Sequence, residues 1–264
     1  MKAIKTFRDL LAFLTIIPLG KTDDFVATSA EALFLFPVIG GFIGFLGGGY
    51  FIGCSFLMSH ILGFVDSFIQ IPVEFLLKFL PAVMTLAFLL VLTGLQHFDG
   101  LVDLGNALGL GNLRERRAAA HAWTVSYKGA LLAIFVEALA VLGLFFVSEW
   151  VAFGAVIAAE VVAKLGMVTI VLLGKPTHTG LGSIFLEVAK RKRNVVAYLL
   201  AVLIVVPLLG LMGIWVFLLG VLLGAFMERV GKTVFGGVSG DMIGATNELV
   251  RAVVLAFVAG VFLL

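Results

Sequence analysis

The chain has 264 residues, 62% of them hydrophobic and 13% charged, with a formal net charge of +2 and a mean hydropathy of +1.19. Soluble domains carry about 25% charged residues, so this composition excludes a soluble fold, and so small a net charge excludes bulk affinity for nucleic acid. The apolar blocks are long enough for helical spans of roughly 20 residues and lack the alternating polarity of barrel strands. They predict an all-α, polytopic integral membrane bundle, because in lipid a helix satisfies every backbone N–H and C=O internally.

In chain order, residues 1–20 carry Lys2, Lys5 and Arg8 ahead of a short apolar run broken by Asp9 and Pro18. Lacking a small-residue cleavage site, the stretch reads as an amphipathic or half-inserted segment that stays on the protein. Seven spans follow, near 32–64, 74–95, 129–148, 151–173, 195–211, 213–228 and 250–264. The first is interrupted by Gly40, Gly41, Gly44, Gly47, Gly48 and Gly49, which permit close helix contact and leave a tilt, a kink or a re-entrant piece open. Cys54 inside it is a small apolar filler. Between the fifth and sixth spans the turn falls among Pro207, Gly210 and Gly213. Residues 1–264 make one transmembrane domain.

With the N-terminus inside, the inner connections hold Arg114, Arg116, Arg117, Lys175, Lys190, Arg191, Lys192, Arg193, Arg229 and Lys232, whereas the outer ones hold Asp66 and Glu149 but no Lys or Arg. This positive-inside asymmetry places the basic loops in the cytoplasm of a multi-pass cell-membrane protein in contact with membrane lipid. Oligomeric state is left open, a homo-oligomer included.

Two polar constellations lie at the inner face. In Gln96-His97-Phe98-Asp99-Gly100-Leu101-Val102-Asp103-Leu104-Gly105-Asn106, helical spacing puts Asp99, Asp103 and Asn106 on one face. Two carboxylates and an amide oxygen suit a hard cation such as magnesium, Mg2+, bridging to substrate phosphates. In Gly236-Gly237-Val238-Ser239-Gly240-Asp241-Met242-Ile243-Gly244-Ala245-Thr246-Asn247-Glu248, the glycines, Gly237 and Gly240 among them, let backbone N–H groups approach a phosphate. A helix starting near Gly240 turns its positive end to the same anion, and Asp241 and Glu248 share a helical face.

Lys128 and Lys175, at span boundaries, are phosphate ligands or snorkelling helix-end lysines. His121 and His178 are acid–base groups or structural histidines. Arg114, Arg116 and Arg117 read as topology signals on a solvated face, and Lys190 to Arg193 as a topological run. Within the fourth span, Glu160 and Lys164 at i, i+4 make a structural ion pair or one wall of a polar cavity. Glu137 and Glu228 are weaker candidates.

The run Leu92-Thr93-Gly94-Leu95-Gln96-His97-Phe98-Asp99-Gly100-Leu101-Val102-Asp103-Leu104-Gly105-Asn106, followed much later by Gly236 to Glu248, resembles the two signature motifs of the cobalamin synthase, or adenosylcobinamide-GDP ribazoletransferase, family. The likeness covers nearly the whole chain. Asn106 stands where the family usually has a third aspartate, Ser239 where it has threonine, and Lys164 roughly where it has arginine. The resemblance implies attack by a hydroxyl of α-ribazole, or of its 5′-phosphate, on the cobinamide-side phosphate of adenosylcobinamide-GDP, with release of GMP. It implies Asp99, Asp103 and Asp241 as catalytic or metal carboxylates with Asn106 as a further oxygen donor and His97 as proton acceptor; with the reading of the residues themselves, Lys128, Lys175, Gly237, Ser239, Gly240 and Glu248 are placed on substrate. A CDP-alcohol phosphotransferase is disfavoured, because Ala-Arg does not follow Asp99-Gly100. A membrane transporter is the alternative, with Glu160 and Lys164 at a midplane site, though the chain shows no internal repeat.

Overall fold

A long apolar helix in a membrane protein has no reason to hide its side chains unless other helices surround it, and one helix here is hidden that way. In the computed structural model, which describes residues 2–20, 23–120, 122, 124–188 and 192–263, α8 (Glu149–Leu173) has 89% of its most apolar window buried, against 22–56% for the other spans. Around it stand α3 (Phe36–Asp66), α10 (Val196–Leu209), α11 (Leu211–Phe235) and α12 (Gly240–Leu263). Outside these pack α4 (Val73–Leu92) and α7 (Tyr127–Phe145). Among the described residues seven helices are long and apolar enough to cross a membrane, three-residue and four-residue 3-10 turns at Leu33–Leu35 and Lys192–Val195 opening two of them. Shorter helices complete the chain: α1 (Lys2–Leu14), α2 (Phe25–Glu31), α5 (Gln96–Ala107), α6 (Leu113–Ala120) and α9 (Leu181–Val188).

The glycines of the first span do the work their spacing predicts. A Cβ at Gly44 would sit 2.6 Å from Ile157 Cα, so α3 and α8 cross with their backbones in contact; lipid supplies no hydrophobic drive for such a pair, and close packing replaces it. The span neither breaks nor re-enters. It is one 31-residue helix, about 46 Å long at 1.5 Å per residue, which exceeds a hydrocarbon core of about 30 Å. Between α10 and α11 the chain turns at Gly210, whose φ of +61° a side chain would oppose, while Pro207 is carried inside α10.

Two boundaries extend beyond the sequence reading. α11 runs to Phe235, because Glu228, Arg229 and Lys232 continue the helix past the apolar window. α12 begins at Gly240, ten residues early, because its polar residues Asn247, Glu248 and Arg251 are buried against other helices. The N-terminal segment forms α1, amphipathic as expected: Leu10, Leu11 and Leu14 are buried, while Ile4 and Lys5 face outward. His121, Lys190 and Arg191 lie outside the described residues.

Candidate active site

The site begins with a turn that costs strain. After α4, Gly94 and Leu95 both adopt positive φ, +68° and +60°; for leucine this conformation is unfavourable by roughly 1–2 kcal/mol. The turn redirects the chain into α5, which lies across the start of α12. At the crossing a Cβ on Gly100 would overlap the backbone carbonyl oxygen of Asp241. Asp99 and Asp103, flanking Gly100 on α5, are thereby brought beside Asp241 in the first turn of α12.

Asp103 feels both neighbouring carboxylates. Burial, then the charges of Asp241 and Asp99, raise the Asp103 pKa from 3.8 to about 7, while a hydrogen bond from Asn106 pulls it down. Like charges gathered in this way are what a divalent cation would relieve. Among the described residues no three His, Cys, Asp or Glu side chains close on one ion.

Asn106 is placed as a clamp. Its Nδ2 donates to Thr124 O at 2.9 Å and its Oδ1 accepts from Ser126 N at 2.9 Å, fixing the segment in which Ser126 caps α7 through Gly129 N–H at 3.1 Å. The amide that stands in place of a carboxylate thus serves the backbone as well as Asp103.

The second motif is tied to the segment after α8. Val238 N donates to Lys175 O at 2.8 Å and Thr177 N to Val238 O at 3.2 Å, forming a one-rung parallel bridge between Pro176 and Val238. Gly237 is required there, since a Cβ would sit 2.6 Å from Lys175 O. Ser239 caps α12, its Oγ accepting from Met242 N at 3.3 Å and donating to Asp241 Oδ2 at 3.2 Å; a cap of this kind leaves the other first-turn N–H groups for an anion.

The two candidate lysines have local partners. Lys128 Nζ donates to Leu108 O at 3.2 Å, at the end of α5. Lys175 lines a separate cleft of about 390 Å³ with Glu228, Arg229, Lys232, Gly236 and Gly237. Arg116 and Arg117 are more than solvated topology signals. Arg116 donates to Thr233 O at 3.0 Å and Arg117 to Phe235 O at 2.8 Å, capping the last carbonyls of α11, where positive charge is favoured. Arg193 likewise reaches Glu31 O.

Beneath the site runs a buried polar network. Glu160 and Lys164 are fully buried and paired at 2.9 Å, and Lys164 also donates to Asn247 Oδ1 at 2.7 Å. This arrangement resolves the sequence alternatives in favour of a structural ion pair. Asn247 Nδ2 reaches Glu248 Oε1 at 3.0 Å. Arg251 joins Glu248, Glu137 at 3.2 Å and Glu160 at 3.5 Å. Glu248 therefore sits inside the protein, with Asp241 two turns nearer the surface on the same face. His97 links the two levels: its Nδ1 is 3.9 Å from Glu248 Oε1, and burial, then the charges of Lys164 and Arg251, push its pKa well below 6.5. The imidazole is neutral at pH 7. Asn247 and Arg251 are the residues the sequence reading passed over; their signal was polar side chains at i, i+1 and i+4 on one face of an apolar helix.

A membrane-embedded helical protein with an acidic, phosphate-compatible site at one end of its bundle is the class that fold and geometry define. The family model described as cobalamin-5-phosphate synthase matches residues 6–259, and the chain belongs to that family. An adenosylcobinamide-GDP ribazoletransferase of Halorubrum lacusprofundi is 31% identical, the match covering 96% of this chain and 95% of the relative. Relatives bearing the same name from Methanococcoides burtonii (29%; 94% and 89%) and Thermococcus onnurineus (29%; 96% and 96%) are also similar. No solved structure matches the chain.

Proposed function

We propose that this protein transfers the adenosylcobinamide-phosphate moiety of adenosylcobinamide-GDP to α-ribazole or its 5′-phosphate, completing the nucleotide loop of adenosylcobalamin or its phosphate. The observation that carries the reading is the convergence of both family motifs on one acidic cluster, at the crossing of Gly100 and Asp241. A hydroxyl oxygen of the acceptor bonds to the cobinamide-side phosphorus, the bond from that phosphorus to the bridging oxygen of GMP breaks, and GMP leaves. Neutral His97 takes the hydroxyl proton. Asp99, Asp103 and Asp241 are the residues that would hold magnesium, which supplies charge neutralisation on the leaving phosphate. The first-turn N–H groups of α12 orient a phosphate oxygen, since phosphoryl transfer is mostly positioning and electrostatics.

The loops around the site face the cytoplasm of the cell membrane, a reading supported by the positive-inside asymmetry. Outward-facing Phe56, Phe135, Trp215 and Leu222, each more than 60% exposed, offer an apolar surface to lipid. The test is GMP release by the purified chain in nanodiscs, given both substrates and magnesium, and repeated with Asp99→Ala and with EDTA. Release that needs both Asp99 and the metal is expected. Release unaffected by either would sink the metal-and-aspartate reading, and none from the intact chain would sink the transferase.

A further inference from the structure

Beside the acidic cluster lies a cavity of about 300 Å³ whose two ends differ in chemistry. Its apolar lining includes Phe13 of α1, Phe36 of α3, Phe185 of α9 and Met167 of α8; its polar lining is Gln96, His97, His178 and Asp241. The three rings form a continuous wall. Phe13 and Phe185 have centroids 5.0 Å apart at 31°, and Phe36 and Phe185 are 5.9 Å apart at 63°. His97, only 7% exposed, lines the polar end, its Nδ1 turned toward Glu248 at 3.9 Å. Asp241 belongs both to this cavity and to the carboxylate cluster, so whatever enters ends at the reaction centre.

We infer that this cavity seats the acceptor nucleoside, with an apolar bicyclic base of the benzimidazole type against the phenylalanine wall and the ribose hydroxyls toward His97 and Asp241. The inference rests on the transferase reading and adds the placement of one substrate and the origin of base selectivity. Size argues first: about 300 Å³ is at the low end of the roughly 300–1,000 Å³ of small-molecule sites, adequate for a nucleoside and far too small for a corrinoid. Polarity argues second. Guanine presents donors and acceptors along its edge, which phenyl rings and a thioether would leave unsatisfied at a real cost. A benzimidazole edge carries only carbon and hydrogen and gains from ring stacking. The guanine end of the donor therefore lies outside this cavity.

The test uses the full chain in nanodiscs with two variants, Phe185→Leu in the wall and Leu181→Trp at the cavity mouth. Leu181 is 61% exposed, so its replacement leaves the packed interior alone. Steady-state kinetics are run against each substrate, and α-ribazole 5′-phosphate and GMP are each titrated calorimetrically. Loss of one base–aromatic contact is expected to raise KM for α-ribazole 5′-phosphate about tenfold, with kcat and KM for adenosylcobinamide-GDP unchanged. In the titrations the variants should lose α-ribazole 5′-phosphate heat and keep GMP heat, which also reports an intact fold. A rise in donor KM instead, or no change in either, overturns the assignment while leaving the transferase standing. A wild-type chain that binds α-ribazole 5′-phosphate but releases no GMP would overturn the transferase, and the variants' titrations would still decide whether this cavity is where the nucleoside binds.

Discussion

Replacing Asp103 with asparagine should make the protein more stable while removing its activity. In the folded chain the Asp103 carboxyl titrates near 7 instead of 3.8, because burial and the charges of Asp241 and Asp99 oppose its ionisation. A raised carboxylate pKa means the ionised form costs folding energy: the contribution is harmless below about pH 4 and grows until the group is ionised above about pH 7. The shift of about three units corresponds to at most ~4 kcal/mol at 1.36 kcal/mol per unit. Since the group is only half-buried, solvent screening reduces this to ~1–2 kcal/mol. Asp103→Asn removes that cost, so without metal at pH 8 its thermal midpoint in nanodiscs should exceed wild type by roughly 2–6 °C. The gap should narrow between pH 7 and pH 4 and close below. Magnesium should raise the wild-type midpoint at pH 8, because a ligand that binds only the folded state stabilises it, and should do little for the variant. A variant no more stable than wild type at pH 8, or a gap that ignores pH, would refute the reasoning.

Three further outcomes follow from the geometry. Gly100→Ala forces a methyl group onto the Asp241 carbonyl, so GMP release should fall at least about 100-fold while the chain still inserts and elutes as a folded species. Arg251→Met leaves Glu137, Glu160 and Glu248 without their common cation; breaking such buried pairing costs about 3–5 kcal/mol, seen as loss of detergent-stable protein, and Glu248→Gln in the same chain should recover part of it. Asn106→Ala frees the segment 124–126 from its clamp and should cost about 1–3 kcal/mol, measured by thermal unfolding.

The seven spans were legible because hydropathy reports which stretches can face lipid, and the two motifs because their spacing places oxygens on one helical face. Reading charge as the end of a span failed where charge is buried: α12 starts ten residues before the apolar window, since Asn247, Glu248 and Arg251 find partners in the interior. Asn106 looked like a weakened ligand, whereas its two bonds to the 124–126 backbone are tertiary and leave no periodic trace. The phenylalanine wall draws one ring each from α1, α3 and α9, an assembly no local pattern announces.

The pairing of the interior charges also bears on how the chain enters the bilayer. Carrying Lys, Arg or Asp to the centre of a lone helix costs roughly 2.5–3.5 kcal/mol apiece during insertion. Glu160 with Lys164, and Glu248 with Arg251, are each partners on a single helix, so α8 and α12 can each leave the translocation machinery as a locally neutral unit. Glu137 of α7 has no cation within two turns on its own helix and is joined by Arg251 of α12, a span made well after it. Biogenesis is thereby ordered: a nascent chain released before Gly240 keeps an orphaned acid in the membrane, and quality-control proteolysis should remove it faster than the finished protein.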